Sequence, residues 1–160
     1  MPLTGYLRIP DIPGESKRAQ HEDEIDIHDI RWSIEKRAAA RVGRGRSRSR
    51  AKVGALLLSK FADASSVYLA LACLQGKSFP DMTLAVRKDS GEAHLDYLTI
   101  TMENVTISKY EVLGTGEGGQ MIEELLGLVF EEVSYRYVVQ ADGRSAGAEH
   151  EIEYDIAAGV

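Results

Sequence analysis

The chain has 160 residues, 44% of them hydrophobic and 28% charged, with a formal net charge of −6. That length and mixture predict one soluble globular domain, 1–160, with a sizeable core. They exclude a disulfide scaffold, because Cys73 is the single cysteine, and a membrane span, because no apolar run is long enough. The N-terminal MPLTGYLRIPDIPGES has neither a basic nor an apolar leader region, so cytoplasmic synthesis without a secretory signal peptide is expected.

Gly5 to Ile9 reads as a short strand, ended by the turn residues Pro10, Asp11, Pro13 and Gly14. A second strand begins at Glu24. Ile25 and Ile27 share one face, then Ile30, Trp32 and Ile34 take the even positions, so the apolar face changes phase near His28 and predicts a bend. If the even positions face the core, Arg31, Ser33 and Glu35 face away from it. Ala38 to Arg50 is too rich in Gly, Ser and Arg to bury a face and reads as an exposed loop. Lys52 to Lys60 returns to strand. Asp63 to Ser66 offers capping oxygens, the following run is rich in helix formers, and Gly76 is placed to end a helix over about Ser66–Gln75. That helix is apolar almost all round, which predicts cover on more than one side.

Met82, Leu84 and Val86 alternate with polar or small neighbours and predict another strand. Leu95 to Leu113 is a longer one. Leu98, Ile100 and Met102 are even, whereas Val105 and Ile107 are odd, so the apolar face slips at Glu103-Asn104. Gln120 to Val133 fits a helical stripe as well as a strand. The strand reading carries its own slip at Glu131-Glu132, and the two slips are centred on Glu117-Gly118. An antiparallel hairpin through that loop would set the two bends opposite each other and turn a corner in the sheet, as a sheet does when it rolls toward a barrel. The other account of the slip is a break that turns the outer half of the strand toward a neighbouring subunit. A final strand covers Glu149 to Asp155.

Charge is unevenly placed. Lys36 to Lys60 holds nine basic residues and no acidic one, while His21 to Asp29 holds five carboxylates. Such separation fits self-association or local binding of an anion. No aromatic residue interleaves with the Arg tract, so stacking on bases is unsupported and nucleic acid is disfavoured as a partner. Gly114, Gly116 and Gly119 match a dinucleotide fingerprint in spacing alone; the preceding strand alternates as a half-solvated antiparallel strand does, and a hairpin loop accounts for the glycines better. His21, Asp23, Asp26 and His28 lack the partners of a metal site. No catalytic grouping, cofactor site or metal site is expected, and the protein is not expected to be an enzyme.

Several stretches, in order and over almost the whole length, resemble the hemolysin-coregulated protein (Hcp) family, the tube subunit of type VI secretion systems. They are Gly14-Glu15-Ser16-Lys17, His21 with Glu24 to Ile27, Trp32-Ser33, Lys60 to Asp63, Gly76 to Pro80, Leu84 to Lys88 and Tyr97 to Met102. The resemblance implies a mainly β fold: a compact two-sheet antiparallel β-barrel with one flanking α-helix. It implies hexameric rings that stack into an exported tube, with effectors carried in the lumen and sheath, spike and effector proteins as partners. It also implies secretion without a signal peptide and no membrane insertion. This sequence departs from the family's common glycine-rich loop by its Arg-rich GRGRSRSR, and Ile30 and Ile34 flank a single Trp32 where relatives have a Trp-rich strand core.

For such a subunit, Arg31, Ser33 and Glu35 are candidates for the lumen wall. Arg44, Arg46, Arg48 and Arg50 are the candidate ring-stacking loop. Asp11, Glu15, Glu22 and Asp23 are the candidate acidic stacking surface. The alternative is a monomeric β-barrel module that binds a small ligand or nucleic acid.

Overall fold

A computed structural model describes residues 3–36, 51–90, 93–114, 121–141 and 146–160. The strands are β1 (Thr4–Arg8), β2 (Ile25–Ile27), β3 (Asp29–Arg31), β4 (Ile34–Glu35), β5 (Lys52–Val53), β6 (Leu56–Phe61), β7 (Ser78–Ser90), β8 (Ala93–Leu113), β9 (Glu123–Val129), β10 (Glu132–Gln140) and β11 (Ala146–Asp155), with one helix among the described residues, α1 (Ser66–Gln75). The fold is therefore mainly β and antiparallel with one helix, as the sequence indicates. The glycine loop and the Arg-rich loop, including Arg44, Arg46, Arg48 and Arg50, lie outside the described residues.

β8 is the shared element. Its first half pairs with β7 on one side and β10 on the other, and its second half pairs with β9. One sheet therefore runs β2-β1-β7-β8-β10-β11, and the other runs β8-β9-β6-β3. The hydrogen-bonded path is not a closed ring. Its two ends, β2 and β3, are consecutive in the chain and separated only by His28, whose N–H donates to Ser59 O at 2.9 Å. Thus the bend read at His28 carries one strand from the edge of the first sheet to the edge of the second.

The matched bends are present. Glu103 pairs with Glu132, and Thr106 with Val129, which is one register continued on both sides of the bend. Asn104 sits at the bend with φ +52°, a left-handed conformation that Asn tolerates better than most residues. Its side-chain amide donates to Glu131 Oε2 at 3.1 Å, and Glu131 N–H donates to Glu103 O at 3.0 Å. One αL residue thus shifts the side-chain phase, and Val105 and Ile107 bury in the same core as Ile100 and Met102. Of the two accounts of the slip, the corner is correct. A second irregularity was not legible: between Ile107 and Lys109 the register with β9 shifts by one residue. Gly127 accommodates it, since a Cβ there would lie 3.0 Å from Lys109 Cβ.

The core fills the space between the two sheets, with Leu7, Ile25, Leu58, Leu84, Met102 and Leu126 buried. α1 covers one end of it through Leu69 and Ala72. The helix ends at Gly76 (φ +62°), where the N–H groups of Gly76 and Lys77 return to Cys73 O and Ala72 O. At its start Ser65 makes no side-chain cap; instead Asp63 Oδ1 accepts from Ser65 N–H at 2.9 Å, and Ser66 Oγ accepts from Asp63 N–H at 2.9 Å.

Candidate functional site

The functional surfaces follow from what each strand must turn outward. On the β3–β4 segment, Trp32 is the anchor. Its Nε1–H donates to Gly54 O at 3.0 Å, and its ring lies against Phe130 and Tyr135. Ile30 packs on the core beside it. Arg31, Ser33 and Glu35 are exposed. The expected alternation stops there: Ile34 is 56% exposed and pairs with Val53 in the small β4–β5 ladder that carries residues 37–50. Once the strand leaves the body of the sheet, no core remains for Ile34 to face.

The motif residues near the N-terminus prove to be structural. A Cβ on Gly14 would lie 2.5 Å from Glu24 O, so only glycine lets this segment run against β2. His21 is buried, stacked on Tyr6 at 4.4 Å, with its ring nitrogens 2.9 Å from Glu24 Oε1 and 2.8 Å from Asp96 Oδ2. Arg87 completes the clasp, donating to Asp96 Oδ1 at 2.9 Å and to Ala19 O at 3.0 Å. These contacts fasten residues 14–24 onto β7 and β8. His28 goes elsewhere, to Glu123 at 2.9 Å and the Phe61 ring at 4.3 Å. Among the described residues, no group of three or more His, Cys, Asp or Glu is arranged for a metal.

The four acidic residues of the candidate stacking surface are all exposed but occupy three different segments. Asp11 is in the turn between Ile9 and Ile12, and Glu22 and Asp23 are in the turn after His21. Of the four, Glu15 alone lines a cleft of about 400 Å³ with Asp26, Asp63, Ile27, His28 and Phe61. The Glu15 carboxylate accepts from Ala64 N–H at 2.8 Å. Partial burial, followed by the nearby Asp63 carboxylate, raises the Asp26 pKa above the usual aspartate value.

Beneath the cleft lies a buried ionic cluster that sequence reasoning missed, because Lys60 read as the end of an apolar strand. Its Nζ is fully buried and donates to Glu124 Oε1 (2.6 Å), Asp63 Oδ1 (3.1 Å) and Phe61 O (2.9 Å), with Ser66 Oγ at 3.3 Å. Tyr110 O–H also donates to Glu124, and its pKa is pushed up to about 12, by burial first and then by that carboxylate. The cluster pins the start of α1 to β6, β8 and β9. It leaves Val67, Tyr68, Leu71 and Leu74 of α1 uncovered. A second surface also escaped the sequence reading. On the outward face of the first sheet, Asp81, Glu103, Glu132 and Asp155 are lateral neighbours across four strands. Glu132 shares a hydrogen bond with Glu103, which raises its pKa.

A body with two sheets sharing one strand, an uncovered apolar helix face and a row of carboxylates along one sheet face suits a structural subunit that works through contacts with other protein surfaces. Residues 6–139 match the family model described as type VI secretion system effector, Hcp. The chain is 33% identical over 150 residues to Protein hcp1 of Pseudomonas aeruginosa, covering 92% of this chain and 91% of that one. Its fold matches that of Hcp1 from Salmonella typhimurium with a TM-score of 0.82 at 28% identity, covering 99% and 98% of the two chains. A further solved structure, described as a type six secretion system protein, matches with a TM-score of 0.91 at 22% identity, covering 99% and 98%, and shows the shared fold. The chain belongs to the Hcp family. It is a type VI secretion tube protein, of the family whose structures are subunits of hexameric rings.

Proposed function

We propose that residues 1–160 act as a single unit that forms rings whose lumen is faced by Arg31, Ser33 and Glu35, and whose stacking is driven by Arg44, Arg46, Arg48 and Arg50. The observation that carries the lumen assignment is the anchoring of Trp32 and Ile30 on the core, which turns the odd positions of the same segment to solvent. The stacking assignment is supported by charge segregation: the basic tract has no acidic residue of its own, and Asp11, Glu15, Glu22 and Asp23 are exposed carboxylates on the body. The subunit is made in the cytoplasm and leaves it through the secretion apparatus. Its partners are further copies of itself, the contractile sheath, the spike and effectors held in the lumen.

Replacing Arg44, Arg46, Arg48 and Arg50 together with serine tests the stacking role. Single rings are expected to survive and ring stacking to weaken, more visibly at low salt, where charge is least screened. Tube assembly equal to that of the unmodified protein at low salt would refute it.

A further inference from the structure

The Glu15–Asp26–Asp63 cleft has features that the family's common function does not explain. Asp63 is already held by Lys60, and Glu15 is occupied at one oxygen by Ala64 N–H. Asp26 is different. Its carboxylate accepts no hydrogen bond and forms no ion pair among the described residues, although Asp63 and Glu15 face it from α1's leading turn and from the segment before β2. Arg18 is the cation whose field reaches it, and His28, beside it in the cleft, is committed to Glu123. Crowded carboxylates of this kind are stabilised by an incoming cation. The walls are the Phe61 ring, 39% exposed and stacked with His28, and the aliphatic Ile27. A flat aromatic wall beside two carboxylates suits a planar guanidinium, which stacks and bridges at once, better than a compact ammonium.

We infer that this cleft receives an arginine from the Arg41–Arg50 segment of a second copy of this chain in the adjacent ring. The inference rests on the stacking role proposed above and names its receiving site. Topology selects a second copy. The fourteen residues 37–50 are rooted at Lys36 and Ala51, beside the β4–β5 ladder and the Leu56 end of β6. The cleft lies at the other end of that strand, at Phe61. Seven residues out and seven back span at most about 25 Å. To fill its own cleft, a segment would have to run back along β6, whereas in a stack with the two ends of β6 in contact the segment roots of one copy would adjoin the cleft of the next. A contact between opposite ends of identical subunits is heterologous and does not close on itself, so it repeats as a stack. Charge complementarity then favours the head-to-tail order over head-to-head, where basic end would meet basic end.

The test uses two full-length variants. One carries Asp26→Lys. The other carries Arg44→Glu, Arg46→Glu, Arg48→Glu and Arg50→Glu. Each is expected to form rings by size-exclusion chromatography and to stack at least ~tenfold more weakly than the unmodified protein by sedimentation and negative-stain imaging. Mixed in equal amounts they are expected to stack again in alternation, because each meets an opposite charge on both faces. Asp26→Asn, which keeps the side-chain shape, is expected to weaken stacking to a smaller degree and serves if Asp26→Lys does not form rings. Normal stacking by Asp26→Lys and Asp26→Asn would overturn the cleft assignment while leaving the Arg segment's role intact. Normal stacking by the four-glutamate variant would overturn both. Loss of stacking by each variant alone with no recovery on mixing would overturn the contact between copies.

Discussion

At the scale of single residues, two side chains do work that their type alone does not announce. Asn104 holds φ +52° at the corner of β8 and ties it to Glu131. Asn104→Ala removes that exposed hydrogen bond and the polar side chain that makes the left-handed region tolerable, at a cost of about 1 kcal/mol. Urea unfolding should show a lower midpoint, and Asn104→Gly should recover part of the loss because glycine accepts the backbone. Tyr110 gives a prediction about pH. Its pKa rises from 10.0 to about 12 in the folded state, so between those values the native protein holds a proton that the unfolded chain has lost. Its contribution is complete below pH 10 and disappears as pH climbs toward 12. The unmodified protein should therefore lose stability more steeply than Tyr110→Phe across that window in urea titrations. The same cluster shows why burial of Lys60 escaped the sequence. A lysine ending an apolar strand is ordinarily exposed, and only the arrival of Glu124 from β9, 64 positions away, makes its burial tolerable.

At the scale of elements, legibility follows the range of the interaction. α1 was readable to its ends because Gly76 and the residues that shape its start are local. The β8 hairpin was readable because its two phase slips are symmetric about the loop, and symmetry in sequence fixes register in space. The Lys109–Gly127 irregularity left no comparable sign, since one extra residue on a half-exposed strand does not disturb the buried positions around it. The row Asp81, Glu103, Glu132 and Asp155 was invisible for another reason: it exists only through the lateral order of four strands, of which the sequence reading paired two. That row has a consequence. Like charges directly across a ladder repel, and the proton shared with Glu103 makes the folded-state pKa of Glu132 higher than its unfolded value. The native state then binds more protons than the unfolded chain just above the usual glutamate range, so stability falls as pH rises through the raised pKa. Glu132→Gln should raise the unfolding midpoint at pH 7 and change it little at pH 4. A lower midpoint at pH 7 would mean that the row is held by a favourable contact instead of straining the sheet.

At the scale of the whole molecule, the surfaces left over after folding define the protein's work. The core is satisfied within one chain, and among the described residues no buried side-chain polar atom lacks a partner. Yet among the described residues α1 leaves four large apolar side chains uncovered, and β11 pairs on one side only. Apolar faces and open edges of this kind suit contacts between copies in a ring. The membership in the Hcp family agrees with a protein that works through contacts between copies of itself. The most direct measurement is negative-stain imaging of the purified protein at native salt. Six-fold rings with an open centre, some of them stacked, are the predicted result; uniform monomer-sized particles at the same concentration would contradict the account.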